Sequence, residues 1–123
     1  MEEVVRVSEV FSLDQSAQEA EVYVTDGFYS ALVFSSFYKV EPRSGDIVDC
    51  VMAFMPYDVE VVEDGLQPSI VKLSKGYFAY EVVGSVAEEG GVVFVGGFRI
   101  CIEDDFPKVG NVRFKCTRLD LQV

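Results

Sequence analysis

The chain has no histidine and few cations, ten Lys and Arg against twenty-one Asp and Glu. Without an imidazole there is no Ser-His or Cys-His nucleophile pair and no His-containing metal site. The formal net charge of −11 repels phosphate backbones and leaves few cations with which to release counterions, so tight autonomous nucleic-acid binding is not expected. Basic protein surfaces are the more natural partners.

Other scarcities narrow the class further. Four prolines among 123 residues, half of them hydrophobic, do not make a disordered chain. Three cysteines, Cys50, Cys101 and Cys116, are an odd number at wide spacing and do not form a disulfide framework, so reduced thiols in an intracellular protein are expected. No apolar run reaches the ~18 residues of a membrane span, and the amino-terminal MEEVVRV lacks an apolar leader core, so no membrane partner is expected. No glycine-rich loop opens a helix, because hardly any helix is present to open, and no cofactor is expected.

What the chain does have is β pattern. Residues 77–103 carry β-branched and aromatic residues in two arms joined by the turn Glu88-Glu89-Gly90-Gly91. In the second arm Val92, Phe94, Phe98, Ile100 and Ile102 keep one face at period two if Gly96-Gly97 bends a single strand. The competing reading is a two-residue Gly-Gly hairpin turn, which would set Arg99 opposite Phe94. The bend is the preferred expectation.

Residues 4–11 predict a first strand, 12–19 a loop, and 20–24 with 28–38 a second hairpin about Thr25-Asp26-Gly27. The arm 28–38 is apolar on both faces, Tyr29, Ala31, Val33 and Phe37 on one and Phe28, Leu32 and Phe34 on the other, as for a strand covered on both sides. The proline-led turn Pro42-Arg43-Ser44-Gly45-Asp46 feeds a strand at 47–55, and Pro107-Lys108-Val109-Gly110-Asn111 feeds another at 112–121. Both Gly110 minus Gly45 and Pro107 minus Pro42 give 65, an offset that lays 28–37 on 93–102. The expectation is one domain, 1–123, formed by two tandem three-stranded meanders: half one at 4–55, an acidic connector at 56–75 with a short strand at 59–62, and half two at 76–123. Two such halves bury their apolar faces by curling into a single closed antiparallel β-barrel, with bends at Gly84, Gly96 and Gly97.

Chemistry has little support in this pattern. Glu103-Asp104-Asp105 lacks the spacing of a calcium loop, and a solvated turn is the simpler reading. The cysteines lie in apolar runs, where free cysteine behaves as a small hydrophobe. Tyr23, Tyr29, Phe34, Phe37, Tyr38, Tyr77, Phe78 and Tyr80 are better suited to core filling than to stacking bases, given the absence of positive charge around them. No catalytic, cofactor-binding or metal-ligating residue is expected.

One resemblance carries a function. Tyr80-Glu81-Val82-Val83-Gly84, then Val93-Phe94-Val95-Gly96-Gly97-Phe98-Arg99-Ile100-Cys101-Ile102-Glu103, resembles the small OB-fold subunit shared by the three nuclear RNA polymerases of eukaryotes, the eighth subunit, in a divergent form. Val7-Ser8-Glu9-Val10, the Pro42 to Asp46 turn and the strand at 112–119 with Arg118 fall in the same order as in that family. The resemblance implies an OB-like barrel in the nucleus that acts as a non-catalytic structural subunit of DNA-directed RNA polymerase. Its partners would be the largest subunit and neighbouring polymerase subunits, and its structural or interaction residues Tyr80, Gly84, Gly96, Gly97, Phe98 and Arg118. The other reading is a free-standing acidic barrel that binds and blocks a basic protein surface, as an inhibitor or immunity-type protein does.

Overall fold

The alternation resolves into twelve strands in the computed structural model, which describes residues 4–14, 19–35, 42–63, 65–73, 78–86, 91–102, 107 and 110–121; among these there is no helix. The fold is all-β. In chain order the strands are β1 (Val5–Asp14), β2 (Glu19–Thr25), β3 (Ser30–Ser35), β4 (Ile47–Val48), β5 (Val51–Phe54), β6 (Tyr57–Val62), β7 (Ser69–Lys72), β8 (Tyr80–Val86), β9 (Val92–Val95), β10 (Phe98–Cys101), β11 (Asn111–Cys116) and β12 (Arg118–Leu121).

They form one mixed sheet in the order β4-β1-β2-β3-β12-β5-β10-β9-β8-β11-β6, with β7 added on β8. Most pairs are antiparallel, and β12 with β3 and β10 with β5 are parallel. The path has two ends, β4 and β6, so the closed antiparallel barrel expected from the sequence is replaced among the described strands by an open, mixed sheet. The sheet wraps a core to which β1, β2, β3, β4, β5, β8, β9, β10, β11 and β12 contribute; Phe98, Phe114, Ile100 and Leu119 are its largest fully buried side chains. β6 contributes no residue to that core.

The hairpins anticipated at β2–β3 and β8–β9 are present. The first strand is longer than expected: β1 runs to Asp14 and β2 starts at Glu19, taking up both ends of the anticipated loop. In β3, Ala31, Leu32 and Val33 are all buried, which matches a strand covered on both sides, whereas Phe28 lies before the strand and is 80% exposed. Phe37, Tyr38, Tyr77, the Glu88-Glu89-Gly90 part of the second turn and the Glu103-Asp104-Asp105 cluster lie outside the described residues.

The central expectation about Gly96-Gly97 is corrected. The two glycines form a hairpin turn: Phe98 pairs with Val95, Arg99 with Phe94, Ile100 with Val93 and Cys101 with Val92. Gly96 has φ +55°, the left-handed conformation that primed hairpin turns need at their first central position. Facing pairs share a side of the sheet, so the inward residues are Val93 and Val95 before the turn and Phe98 and Ile100 after it, while Phe94 points out and is 39% exposed. At the offset of 65, β3 therefore falls across the turn and not on a hairpin arm.

Each proline-led strand also divides. The first splits into β4 and β5 at Asp49-Cys50, and β4 pairs with β1 while β5 pairs with β12 and β10. The second splits into β11 and β12 at Thr117, whose N–H and Oγ1 both donate to the Phe54 carbonyl, at 3.1 and 3.0 Å. β5 and β6 then run as one long arm against β12 and β11, from Leu121 opposite Val51 to Asn111 opposite Val62. The register slips by one residue between Lys115 and Arg113, where Asp58 adopts φ +51°, as in a bulge built on a left-handed residue. Met55, between β5 and β6, has φ +53°. The stretch expected to be an acidic connector is thus half of this arm plus β7.

Candidate interaction face

Of the residues singled out in the sequence, Tyr80, Gly84 and Phe98 are buried, Gly97 and Arg118 are half-buried and Gly96 is exposed. Phe98 is fully buried. Tyr80 is buried as well, and its hydroxyl accepts the Leu32 N–H at 2.7 Å. Among the described residues β3 and β12 are bridged at Asp120–Phe34, and the phenol supplies an acceptor for a β3 amide beyond that bridge. Burial pushes the Tyr80 hydroxyl pKa above its ordinary value, outweighing the opposing hydrogen bond from Leu32.

Gly84 marks a fork. One side of β8 pairs with β11 from Tyr80 to Ser85; the other carries β7 opposite Tyr80 to Val83 and β9 opposite Ser85 and Val86. A Cβ at Gly84 would lie 2.5 Å from the Phe94 carbonyl oxygen and 2.7 Å from Val93 Cγ1, so only glycine admits β9 this close. At the exposed Gly96 a Cβ would meet side chains rather than backbone, Asp26 Oδ2 at 2.6 Å and the Tyr29 ring. Gly97 donates its N–H to Asp26 Oδ2 at 2.8 Å.

Arg118, half-buried, is the one charged side chain among the six. Its guanidinium carbon stands 4.3 Å from the Phe54 ring centroid and 5.0 Å from that of Phe34, while Nε donates to Asp120 Oδ1 at 2.7 Å. Phe78 packs edge-on to Phe34 at 5.7 Å. The cation is thus held between two rings on the outer face of β3, β12 and β5.

From Arg118 the surface continues along the β5–β6 arm, which sequence reasoning treated as connector. Among the described residues twelve large apolar side chains are exposed, and five of them, Phe54, Met55, Tyr57, Val59 and Val61, fall within residues 54–61. Val61 faces the fully buried Val112 across the ladder, so it lies on the core side of the sheet and yet is 62% exposed. Tyr57 faces Lys115 and Glu60 faces Arg113 on the outer side. Glu60 pairs with Arg113 and Asp58 with Lys115 at 3.5 Å; with Glu81 and Val59 these residues line an open groove of about 460 Å³. Exposed pairs of this kind add little stability. They do fix an ordered row of charge beside an apolar edge.

Nucleophile chemistry finds no support in the thiols. The three cysteines are unpaired. Burial pushes the Cys116 thiol up to about 12, and burial together with the neighbouring Cys101 thiol takes Cys50 to about 11, the opposite of what a reactive thiolate requires. Among the described residues no group of three His, Cys, Asp or Glu side chains is placed to hold a metal ion.

No family model, curated protein or solved structure matches the chain.

Proposed function

We propose that this chain is a non-catalytic docking module, an all-β scaffold that presents the edge at 54–61 to a partner protein carrying basic groups. The observation behind the reading is that, among the described residues, five of the twelve exposed large apolar side chains fall within residues 54–61, where the sheet ends in β6, a strand that contributes nothing to the core. A soluble domain has little reason to gather apolar side chains there unless a partner covers them. The net charge of −11 favours a cationic partner and disfavours nucleic acid.

Docking on the largest subunit of a nuclear RNA polymerase is the particular assembly that the sequence resemblance implies, and blocking the basic surface of a single protein is the other. The acidity and the apolar edge support both. What favoured the first was a strand bent at Gly96-Gly97, and the turn there removes that support. Affinity capture from the source cell separates them: several large polymerase subunits in one case, a single basic partner in the other. Capture that is unchanged when Val59 and Val61 are both replaced by Asp would remove the docking edge itself.

A further inference from the structure

Resting on the docking reading, we propose that β6 is completed by strand addition: its open edge accepts an extended segment of the partner in which apolar residues alternate with Lys or Arg. β6 pairs with β11 on one side, and no described strand lies on the other. In an antiparallel ladder every second residue directs its N–H and C=O away from its partner strand, so β6 presents backbone groups that an added strand would satisfy.

The side chains specify what that strand carries. Val59 and Val61 lie on the core side and are 38% and 62% exposed; Asp58 and Glu60 pair with Lys115 and Arg113 on the outer side, with 66% and 51% of their side chains exposed. Facing residues of neighbouring strands share a side. Apolar residues of the incoming segment therefore extend the core stripe over Val59 and Val61, while its cations meet carboxylates that keep free acceptor positions. Sheet edges are commonly blunted by proline, lysine or a bulge. Pro56 and the left-handed Asp58 occupy the start of this edge, and residues 59–62 contain neither proline nor lysine.

A second copy of the chain fits this edge poorly. An antiparallel pair of β6 strands centred on Val59 or Glu60 sets acidic residues opposite one another, which is destabilising. A cationic, amphipathic partner segment meets no such repulsion.

The test uses the full chain and a short capped peptide of alternating Lys and Val, followed by fluorescence anisotropy and by amide hydrogen exchange. Strand addition predicts saturable binding, slowed exchange of β6 amides, and a loss of about tenfold in affinity when alternate peptide nitrogens are methylated, since each methyl removes a backbone donor. Replacing Val59 and Val61 by Lys should weaken binding to a similar degree, and the methylated peptide keeps the test independent of how those variants fold. Equal binding of a block peptide of the same composition would overturn the proposal in favour of charge alone. Absence of saturation by about 1 mM peptide would also overturn it. If the peptide fails while partner capture still depends on Val59 and Val61, docking stands and strand addition does not. Concentration-dependent dimers that protect β6 would assign the edge to a second copy and overturn the choice of partner.

Discussion

Asp26 and Gly97, seventy-one residues apart, are joined by a hydrogen bond of 2.8 Å from the Gly97 N–H to Asp26 Oδ2. The other oxygen, Oδ1, accepts the N–H groups of Phe28 and Tyr29 at 2.8 and 2.7 Å, so one carboxylate closes the β2–β3 turn and ties it to the β9–β10 turn.

Asp26→Ala should lower stability by about 2 kcal/mol, because several backbone donors lose a charged acceptor. Burial alone would raise the Asp26 pKa, but the donors from Gly97, Tyr29 and Phe28 outweigh it and hold the carboxyl below its ordinary value. A depressed folded-state pKa gives a contribution that is fully present above the ordinary carboxyl value of about 3.9 and is lost as pH falls through the folded value. Denaturant midpoints of parent and Asp26→Asn should therefore differ at neutral pH and converge in acid. A gap that is constant across that range would deny the carboxylate its role.

Tyr80→Phe should destabilise by about 1–3 kcal/mol, although it removes a single oxygen, because the Leu32 N–H then has no acceptor in a buried site. Thermal melting reads the loss, and exchange of the Leu32 amide should accelerate more than that of its β3 neighbours. Melting equal to the parent would show that another acceptor replaces the phenol.

Glycine substitutions should rank by contact. Gly84→Ala forces a Cβ to within 2.5 Å of the Phe94 carbonyl oxygen, backbone that cannot step aside, and a loss of about 2–4 kcal/mol is expected for overpacking. Gly96→Ala meets the Asp26 and Tyr29 side chains at a φ of +55°, and a loss of about 1–2 kcal/mol is expected from the left-handed backbone. Gly27 has φ +92° but open space around it, so Gly27→Ala should cost only about 1 kcal/mol. Equal melting of all three would mean that β8 and β9 separate at the fork without penalty.

How far the sequence reaches is visible in these same residues. Strand content and the hairpins were legible because β-branched and aromatic runs are broken by glycine, proline and aspartate. The phase of the run at 92–102 was not, because Val92, Val93, Phe94 and Val95 are all apolar and a slip of one residue exchanges two equally hydrophobic faces. The contacts that fix the turn, from Asp26 and Tyr29 to Gly96 and Gly97, come from far away in the chain. Of the site, Arg118 was identified from the resemblance, but its placement between Phe34 and Phe54 depends on three strands meeting. Val59 and Val61 resemble core in any window; only the ladder order, with β6 at its end, leaves them exposed.

Arg118→Lys should not be conservative. Lysine keeps the charge but loses the planar group held between Phe54 and Phe34 and the directed Nε bond to Asp120, and a destabilisation of about 1 kcal/mol is expected. Arg118→Ala should cost somewhat more, since the rings also lose packing. Melting of the two variants, each alone and with Phe54→Leu, forms a double-mutant cycle; a coupling energy near zero would mean that the stack contributes nothing.

Met55 combines a left-handed backbone, φ +53°, with an exposed side chain. A left-handed backbone costs a residue with a Cβ roughly 1–2 kcal/mol, and at 63% exposure the thioether gains little from burial in return. Met55→Gly removes that strain while adding chain entropy to the unfolded state, so a net stabilisation of about 0.5 kcal/mol is expected. Backbone strain of this kind clusters at functional sites, which makes Met55 a position to test. If Met55 serves the docking edge, the glycine variant should melt no lower than the parent and yet capture less partner. Equal capture by the two would place Met55 outside the interface, and a lower melting temperature for Met55→Gly would show that the thioether packs to structural advantage.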